Sequence, residues 1–546
     1  MKKSVFLIIL CAFVFSITSA CSVVRTDVDF YINAEEQGKK IKNINGVANQ
    51  FVFWDSNIDG YEKDYIKNRY PFIEYMQFMT ATGGNANYDL FDDPLNRDVT
   101  NDYNFTRLLS NLRRAVDKGA VPWVKTGVVP LKLSENPKLG TFGVNIREPY
   151  DYNLYYDYIK AMAQAIIDEF GAEEVSKWRW GVFTEFNNPD WFIPNDGKDA
   201  IVEFCKIYDY TVKALEDVLG KDIFVGAHGL FSIDNFIIHC GTGTNYATGE
   251  IGSHIDYIAD SYYTQTPTVG AGYLPHKKLA HMRDVAQSVG LTNIVYGIDE
   301  GRILDGTDKK PLTDRKVGYS IQAANDAYFL HDFIDNDLDY FSSWSYSSTG
   351  LFGGIDTVSL HVANCFNKMV GSNRVTVNPS YHTTNKTYEH NNAFSAFNTD
   401  TNTLSVMAYH YYEGAYAARY KNTENMRFTI NIPQLEGNVK ITKYVINDSS
   451  NFFDDWVADW KELGIDSDSA ADDVFDWSKD SAQCQTTQCI KDPKIYQEFL
   501  NRVPEYTEAA KLIPITEMAT VVDGKITLSH TTSGQEVVFF TIAKDQ

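Results

Sequence analysis

The stretch Ile294-Val295-Tyr296-Gly297-Ile298-Asp299-Glu300-Gly301-Arg302 decides the fold. Apolar residues run up to two carboxylates, and a glycine then breaks the run. Such a run reads as a parallel strand covered on both faces that stops abruptly at Glu300. In a barrel of alternating strands and helices, the C-terminal ends of the strands face the active site. A carboxylate there is costly unless it is paired, hydrogen-bonded or used.

Outward from this stretch the same unit recurs. Lys277 to Val289 is a helix pattern closed by Gly290. A helix from Ile321 to Asp335 and a strand from Asp339 to Trp344 follow Glu300. Upstream, Ile73 to Met79 reads as a strand, and so does Val121-Pro-Trp-Val-Lys-Thr-Gly127. Between them Phe105, Leu108, Leu109, Leu112, Ala115 and Val116 share one helical face, which Gly119 terminates. Helix patterns from Tyr152 to Phe170 and from Ile201 to Leu219 end at Gly171 and Gly220. Strands are expected at Trp178–Glu185, Ile223–His228 and Ile255–Tyr263. Strand and helix thus alternate with about eight strand candidates, which predicts an α/β chain whose length favours a closed (β/α)8 TIM barrel over an open sheet. No Gly-x-Gly-x-x-Gly turn opens a helix, so a dinucleotide-binding reading is weak.

From about residue 370 the texture changes. Leu404–Tyr412, Met426–Ile432, Val439–Ile446 and Glu536–Ile542 alternate without intervening helices, which predicts an antiparallel β-sandwich over residues 370–546. The barrel is expected at residues 41–369. Residues 21–40, with the alternating Val28-Asp-Phe-Tyr-Ile32, supply an N-terminal strand that could pair with the sandwich. Asp466-Ser-Asp-Ser-Ala-Ala-Asp-Asp473 lacks the glycine and terminal glutamate of an EF loop and reads as a solvated acidic loop.

Residues 1–20 read as a signal peptide: Lys2 and Lys3 precede the apolar run Val5 to Phe15, and small residues lead to Cys21. Cys21 is the expected lipidation site of an exported protein, an outer-membrane or periplasmic lipoprotein; ordinary cleavage and secretion is the alternative. Contact with a membrane is expected only through that anchor. The formal net charge is −23, and no basic patch is visible, which argues against nucleic acid. Cys205, Cys240 and Cys365 sit in apolar or mixed segments and read as core residues. Cys484 and Cys489 could form a small disulfide in an oxidising compartment. No His or Cys cluster has metal-ligand spacing, so neither metal nor cofactor is expected.

Glu185 ends one expected barrel strand and Glu300 another, the fourth and the seventh. Two carboxyls on one barrel mouth suit acid/base and nucleophilic work on an acetal carbon. One must carry a proton to release the leaving oxygen while the other is ionised to attack.

Four stretches resemble glycoside hydrolase family 39, the β-xylosidases and α-L-iduronidases. Tyr103-Asn-Phe-Thr through Ser134 is similar to that family's third βα unit, and Ile298-Asp-Glu-Gly resembles its nucleophile motif. Ser342-Ser-Trp-Ser-Tyr346 resembles its eighth strand, and Val445-Ile-Asn-Asp-Ser-Ser-Asn451 with Trp456 resembles its sandwich segment. The resemblance implies a retaining, exo-acting glycosidase on an oligosaccharide or polysaccharide, with Glu300 as nucleophile.

Two registers remain at the acid/base. In Phe183-Thr-Glu-Phe-Asn-Asn-Pro-Asp-Trp-Phe192, either Thr184-Glu185-Phe186 or Asn187-Asn188-Pro189 takes the places of the family's Asn-Glu-Pro. The first makes Glu185 the acid/base; the second leaves Asn188 there and implies an inactive carbohydrate-binding barrel. Tyr263 matches the tyrosine that hydrogen-bonds the nucleophile, and Trp344 the sugar platform. Thr184, Trp191, His228 and Arg302 are further candidate substrate contacts, each also explicable as packing, a structural histidine or a salt bridge. The family's second-strand Arg-x-His is replaced here by Gln77-Phe78-Met79.

Overall fold

The computed structural model describes residues 27–51, 59–85, 89–264, 275–303, 319–343, 346–348, 351–382, 389–413, 421–465 and 490–545. The leader with Cys21, the platform residue Trp344, the acidic loop 466–473, Cys484 and Cys489 lie outside the described residues, as does the side chain of Arg302. No helix among the described residues is long and apolar enough to cross a membrane.

The first strand, β1 (Val28–Lys40), belongs to the C-terminal sheet and is taken up below. The chain then enters a closed barrel: β2 (Val47–Phe51), β3 (Tyr75–Met79), β4 (Val121–Thr126), β5 (Arg179–Val182), β6 (Phe224–Gly229), β7 (Tyr257–Thr264), β8 (Val295–Ile303) and β9 (Tyr340–Ser343). Neighbours pair in parallel, and Ala48 against Ser343 closes the ring. The helices Thr106–Asp117, Tyr152–Phe170, Ala200–Leu219, Pro275–Ser288 and Ile321–Asp335 fall where their patterns are read in the sequence. Gly171 and Gly220 cap two of them in backbone conformations with positive φ. Cys205, Cys240 and Cys365 are free and buried, and burial pushes all three thiols up.

The barrel interior is filled from its floor. Trp123 meets the rings of Tyr257 (4.8 Å) and Tyr340 (5.3 Å), and the Arg179 guanidinium lies 3.8 Å from the Tyr75 centroid and 4.3 Å from that of Phe224. Strand alternation sends Trp123 and Lys125 to the same, inward face, with Lys125 one layer nearer the mouth. Gly181 on the next strand makes room for it: a Cβ there would stand 2.4 Å from the lysine side chain.

The C-terminal part is one hydrogen-bonded sheet. After β9 come β10 (Asn373–Tyr381), β11 (Glu389–Asn398), β12 (Thr403–Tyr412), β13 (Asn425–Asn431), β14 (Gly437–Ile446), β15 (Ile515–Val521), β16 (Lys525–Thr531) and β17 (Glu536–Lys544). The sheet order is β15-β14-β17-β12-β11-β10-β1-β13-β16. It departs from the expectation in two ways. β1 runs parallel to β13 while antiparallel to β10, and helices Phe453–Leu463 and Pro493–Ala509 are inserted between β14 and β15. These helices bury Trp456, Trp460, Phe499 and Tyr506 among one another, a cluster that strand periodicity cannot announce. The sheet folds on itself: Phe428 of β13 meets Phe540 of β17 at 5.2 Å, although four strands separate them in the sheet order. Its other face rests on the helix Ile321–Asp335, where Tyr409 bonds His331 (3.0 Å) and Tyr411 accepts from Asn325 (3.1 Å).

Candidate active site

Two local irregularities aim the carboxyls. The hydrogen-bonded part of β5 stops at Val182, three residues before the end expected from the apolar run. Phe183 (φ 64°) and Glu185 (φ 43°) then occupy the left-handed region, each at a cost of about 1–3 kcal/mol. Phe183 is held there by its backbone N–H bonding Thr126 (2.8 Å). The other irregularity is a bulge in β8. Asp260 pairs with Ile298 but Ser261 with Glu300, so Asp299 is an extra residue. In a regular strand Asp299 and Glu300 would point to opposite faces; the bulge lets both face the barrel axis. Gly301 permits this close approach, since a Cβ there would lie 2.4 Å from the Tyr262 carbonyl.

Glu185, Glu300 and His228 come together at the mouth, each buried, with one ligating atom of each within 4.8 Å of the others. Glu185 accepts from Ser261 Oγ at Oε1 (2.5 Å) and from Asn188 Nδ2 at Oε2 (2.6 Å). Glu300 accepts from the Tyr263 hydroxyl at Oε1 (2.6 Å), while its buried Oε2 has no hydrogen-bond partner among the described residues. Burial and the nearby Glu185 charge push the Glu300 carboxyl well above the usual carboxylate range; Tyr263 and Lys125 pull the other way.

Beneath Glu300 lies a buried network centred on Asp299. It accepts from Gln77 Nε2 (3.1 Å), the Tyr340 hydroxyl (2.5 Å) and the Lys125 ammonium, which also donates to Tyr257 (2.9 Å). Burial alone would raise the Asp299 carboxyl, but Lys125 beside it holds it below the usual range. Gln77 therefore occupies the place of the expected arginine with an amide, and the cation stands on the next strand. A lone lysine directly after the apolar run Val121–Val124 is a readable sign of a buried partner, though the sequence does not say which one.

The other candidates are placed as follows. Asn188 lies against Glu185 as a donor, so the carboxyl opposite Glu300 is that of Glu185. Thr184 is buried, its hydroxyl 3.0 Å from His228 Nδ1, and His228 Nε2 is 2.8 Å from Ser261 Oγ. Burial drives the His228 imidazole down to about 3, so it is neutral. With both ring nitrogens engaged, it is not free to ligate a metal. Trp191 is buried under Phe142, ring centroids 4.5 Å apart. Ser261 and Lys125 are the site residues that sequence reading passed over. Ser261 had a signal, since it stands two residues before Tyr263 and shares its face.

The mouth of the closed parallel barrel thus holds two adjoining, buried carboxyls, an arrangement suited to acid/base and nucleophilic work. Residues 90–296 match the family model described as glycosyl hydrolases family 39. The match agrees with the resemblance read in the sequence. Among curated proteins, a beta-xylosidase of Geobacillus stearothermophilus is 30% identical over 118 residues, 21% of this chain and 22% of the relative. An alpha-1,4-L-rhamnosidase of Formosa agariphila is 26% identical over 133 residues, 24% of this chain and 25% of the relative. The matched stretch thus spans about a quarter of those relatives' length. The solved structure of a glycoside hydrolase family 39 enzyme from Xanthomonas axonopodis pv. citri superposes with a TM-score of 0.66 at 13% identity, covering 95% of this chain and 97% of that one.

Proposed function

We propose that this chain is a retaining glycoside hydrolase acting on an oligosaccharide or other glycoside by double displacement. One observation carries the reading: one oxygen of Glu185 and one of Glu300 lie within 4.8 Å of each other, and Glu300 keeps one buried oxygen without a partner among the described residues. Retaining enzymes hold their carboxyls about 5–5.5 Å apart, whereas inverting ones need about 6.5–9.5 Å to admit a water between them.

Burial and the adjacent Glu185 charge favour a proton on the Glu300 carboxyl in the free protein, from which it can pass to its neighbour. In the reactive arrangement that proton is on Glu185 and faces the glycosidic oxygen. Glu300 Oε2 attacks the anomeric carbon while Tyr263 steadies Oε1. The carbon–oxygen bond to the leaving group breaks, and the Glu185 proton goes to the departing oxygen. Water then attacks the glycosyl–Glu300 ester, giving its proton back to Glu185. The family-level relatives include a beta-xylosidase and an alpha-1,4-L-rhamnosidase, so the sugar is sought with a panel of aryl glycosides followed by natural oligosaccharides. Residues 1–20 and Cys21 support export as a lipoprotein; Cys21→Ala should release the protein from the membrane fraction.

The test is the anomeric configuration of the first-formed product, read by NMR, together with Glu185→Gln. Retention is expected, and Glu185→Gln should lose about 10²–10⁴-fold on poor leaving groups while sparing activated aryl glycosides. Inversion would overturn the mechanism. Binding without hydrolysis across the panel would point instead to a carbohydrate-binding barrel.

A further inference from the structure

Glu185 is held from two sides. Asn188 belongs to its own loop, but Ser261 stands on β7 and is in turn held from β6. A serine hydroxyl has one proton. Ser261 Oγ lies within hydrogen-bond distance of Glu185 Oε1 (2.5 Å) and of His228 Nε2 (2.8 Å), so it donates to one and accepts from the other.

The surroundings of His228 decide the direction. The ring is fully buried, and Nδ1 has the Thr184 hydroxyl at 3.0 Å. Asp299 Oδ2 is farther, at 3.7 Å, and is already engaged by Lys125. A neutral imidazole carries one N–H. If Thr184 donates to Nδ1, the proton is on Nε2 and points at Ser261. The serine then has its own proton left for Glu185. The order Thr184 to His228 to Ser261 to Glu185 gives every polar atom in the chain a partner of the right kind.

We propose that Ser261 and His228 are positioning residues for the acid/base carboxyl: His228 donates to Ser261, which commits the serine's proton to Glu185 Oε1. This rests on the glycosidase reading above. A carboxyl oxygen has two lone-pair sites, so Glu185 keeps the Ser261 and Asn188 bonds in both protonation states. Its remaining sites face the mouth, where the proton must be delivered. Because the serine bond is stronger to a carboxylate than to a carboxylic acid, it also favours release of that proton.

The groups facing Glu185 are Glu300 from β8, Asp260 with its Lys278 partner (2.6 Å) and Ser261 from β7, His228 from β6, and Asn188 from its own loop. Removing the serine proton leaves the other charges in place. Ser261→Ala should lower kcat/KM for glycosides with poor leaving groups about 10- to 100-fold and leave activated aryl glycosides within about threefold. The basic limb of the pH profile should move to higher pH, since a donor to the ionised form is lost. Ser261→Thr, which keeps the hydroxyl, should restore most of the loss. His228→Leu should reproduce the same leaving-group dependence, and the double variant should add little to Ser261→Ala.

Equal loss on both substrate classes, or an unmoved basic limb in a folded Ser261→Ala, would overturn the proposal. If His228→Leu fails to fold, the Ala and Thr variants at Ser261 still decide it. Glu185→Gln separates the two readings. If it shows the expected leaving-group dependence and Ser261→Ala does not, this inference alone falls. If Glu185→Gln shows none, the acid/base assignment and this inference fall together.

Discussion

The two glutamates of the mouth differ in place and in surroundings: Glu185 lies three residues past the end of β5, and Glu300 lies inside β8. Both oxygens of Glu185 accept a hydrogen bond, one from Ser261 and one from Asn188. Glu300 has the Tyr263 hydroxyl on one oxygen and no described partner on the other. An acid/base must hold its orientation through two proton transfers, and two fixed donors do that. A nucleophile must present an oxygen that the protein has not used. An orphaned buried carboxylate oxygen costs stability, and persists where a function needs it. Under the proposed mechanism the asymmetry fits Glu185 as the acid/base and Glu300 as the nucleophile.

The largest expected effect is at Glu300. Glu300→Gln should reduce turnover by at least about 10³-fold, because no other group can form the glycosyl ester. The same variant should unfold at a higher temperature near pH 7. Its folded carboxyl is raised above the unfolded value, so the wild type loses stability as pH rises from about 4.3 through the folded value. Melting curves of both proteins should converge at acidic pH; a Glu300→Gln protein with full activity would erase the distinction between the carboxyls.

Lys125→Met tests the support under Glu300 through stability. It leaves Asp299 buried without its cation, and breaking such a pair costs about 3–5 kcal/mol, readable by urea unfolding. An unchanged midpoint would show that Gln77 and Tyr340 satisfy Asp299 by themselves. Tyr263→Phe removes the described donor to Glu300 and should cost about 1.5–3 kcal/mol in kcat/KM, or about 10- to 100-fold, with the fold intact. An unchanged kcat/KM in the folded variant would show that Glu300 does not depend on that bond.

The smallest effect concerns the Glu185 side. His228 is held neutral to about 3, against about 6.5 in the unfolded chain, so the unfolded state binds more protons between those values. Stability should fall as pH drops through that window, by an amount that His228→Asn removes. Thermal melts from pH 7 to pH 3.5 measure the difference in slope.

Much of the barrel was legible. The helix Ile321–Asp335 has the bounds its apolar pattern predicts, and Gly171 and Gly220 cap the helices they appeared to end. The C-terminal sheet was less so, because Phe453–Leu463 and Pro493–Ala509 lie between strands whose pairing partners are distant in sequence. At the site, Glu185 and Glu300 were singled out from the ends of apolar runs, and Tyr263 from the family resemblance. Ser261, Lys125 and the partnering of Thr184 with His228 were not. Each depends on which neighbour a strand has and at what register.

By itself the sequence determined the alternation of strand and helix, and with it a barrel that carries Glu185 and Glu300 at strand ends. Periodicity and punctuation are local, so they survive in one dimension. Tertiary structure decided what those carboxyls are to each other. The bulge at Asp299, the turned backbone at Phe183 and Glu185, and the Asn188 bond set the spacing of the carboxyls and which of their oxygens are engaged. The Asn188 bond is local, three residues from Glu185, but the β8 register and the Ser261 bond join residues far apart in the chain, and only closure of the barrel brings those within hydrogen-bond range.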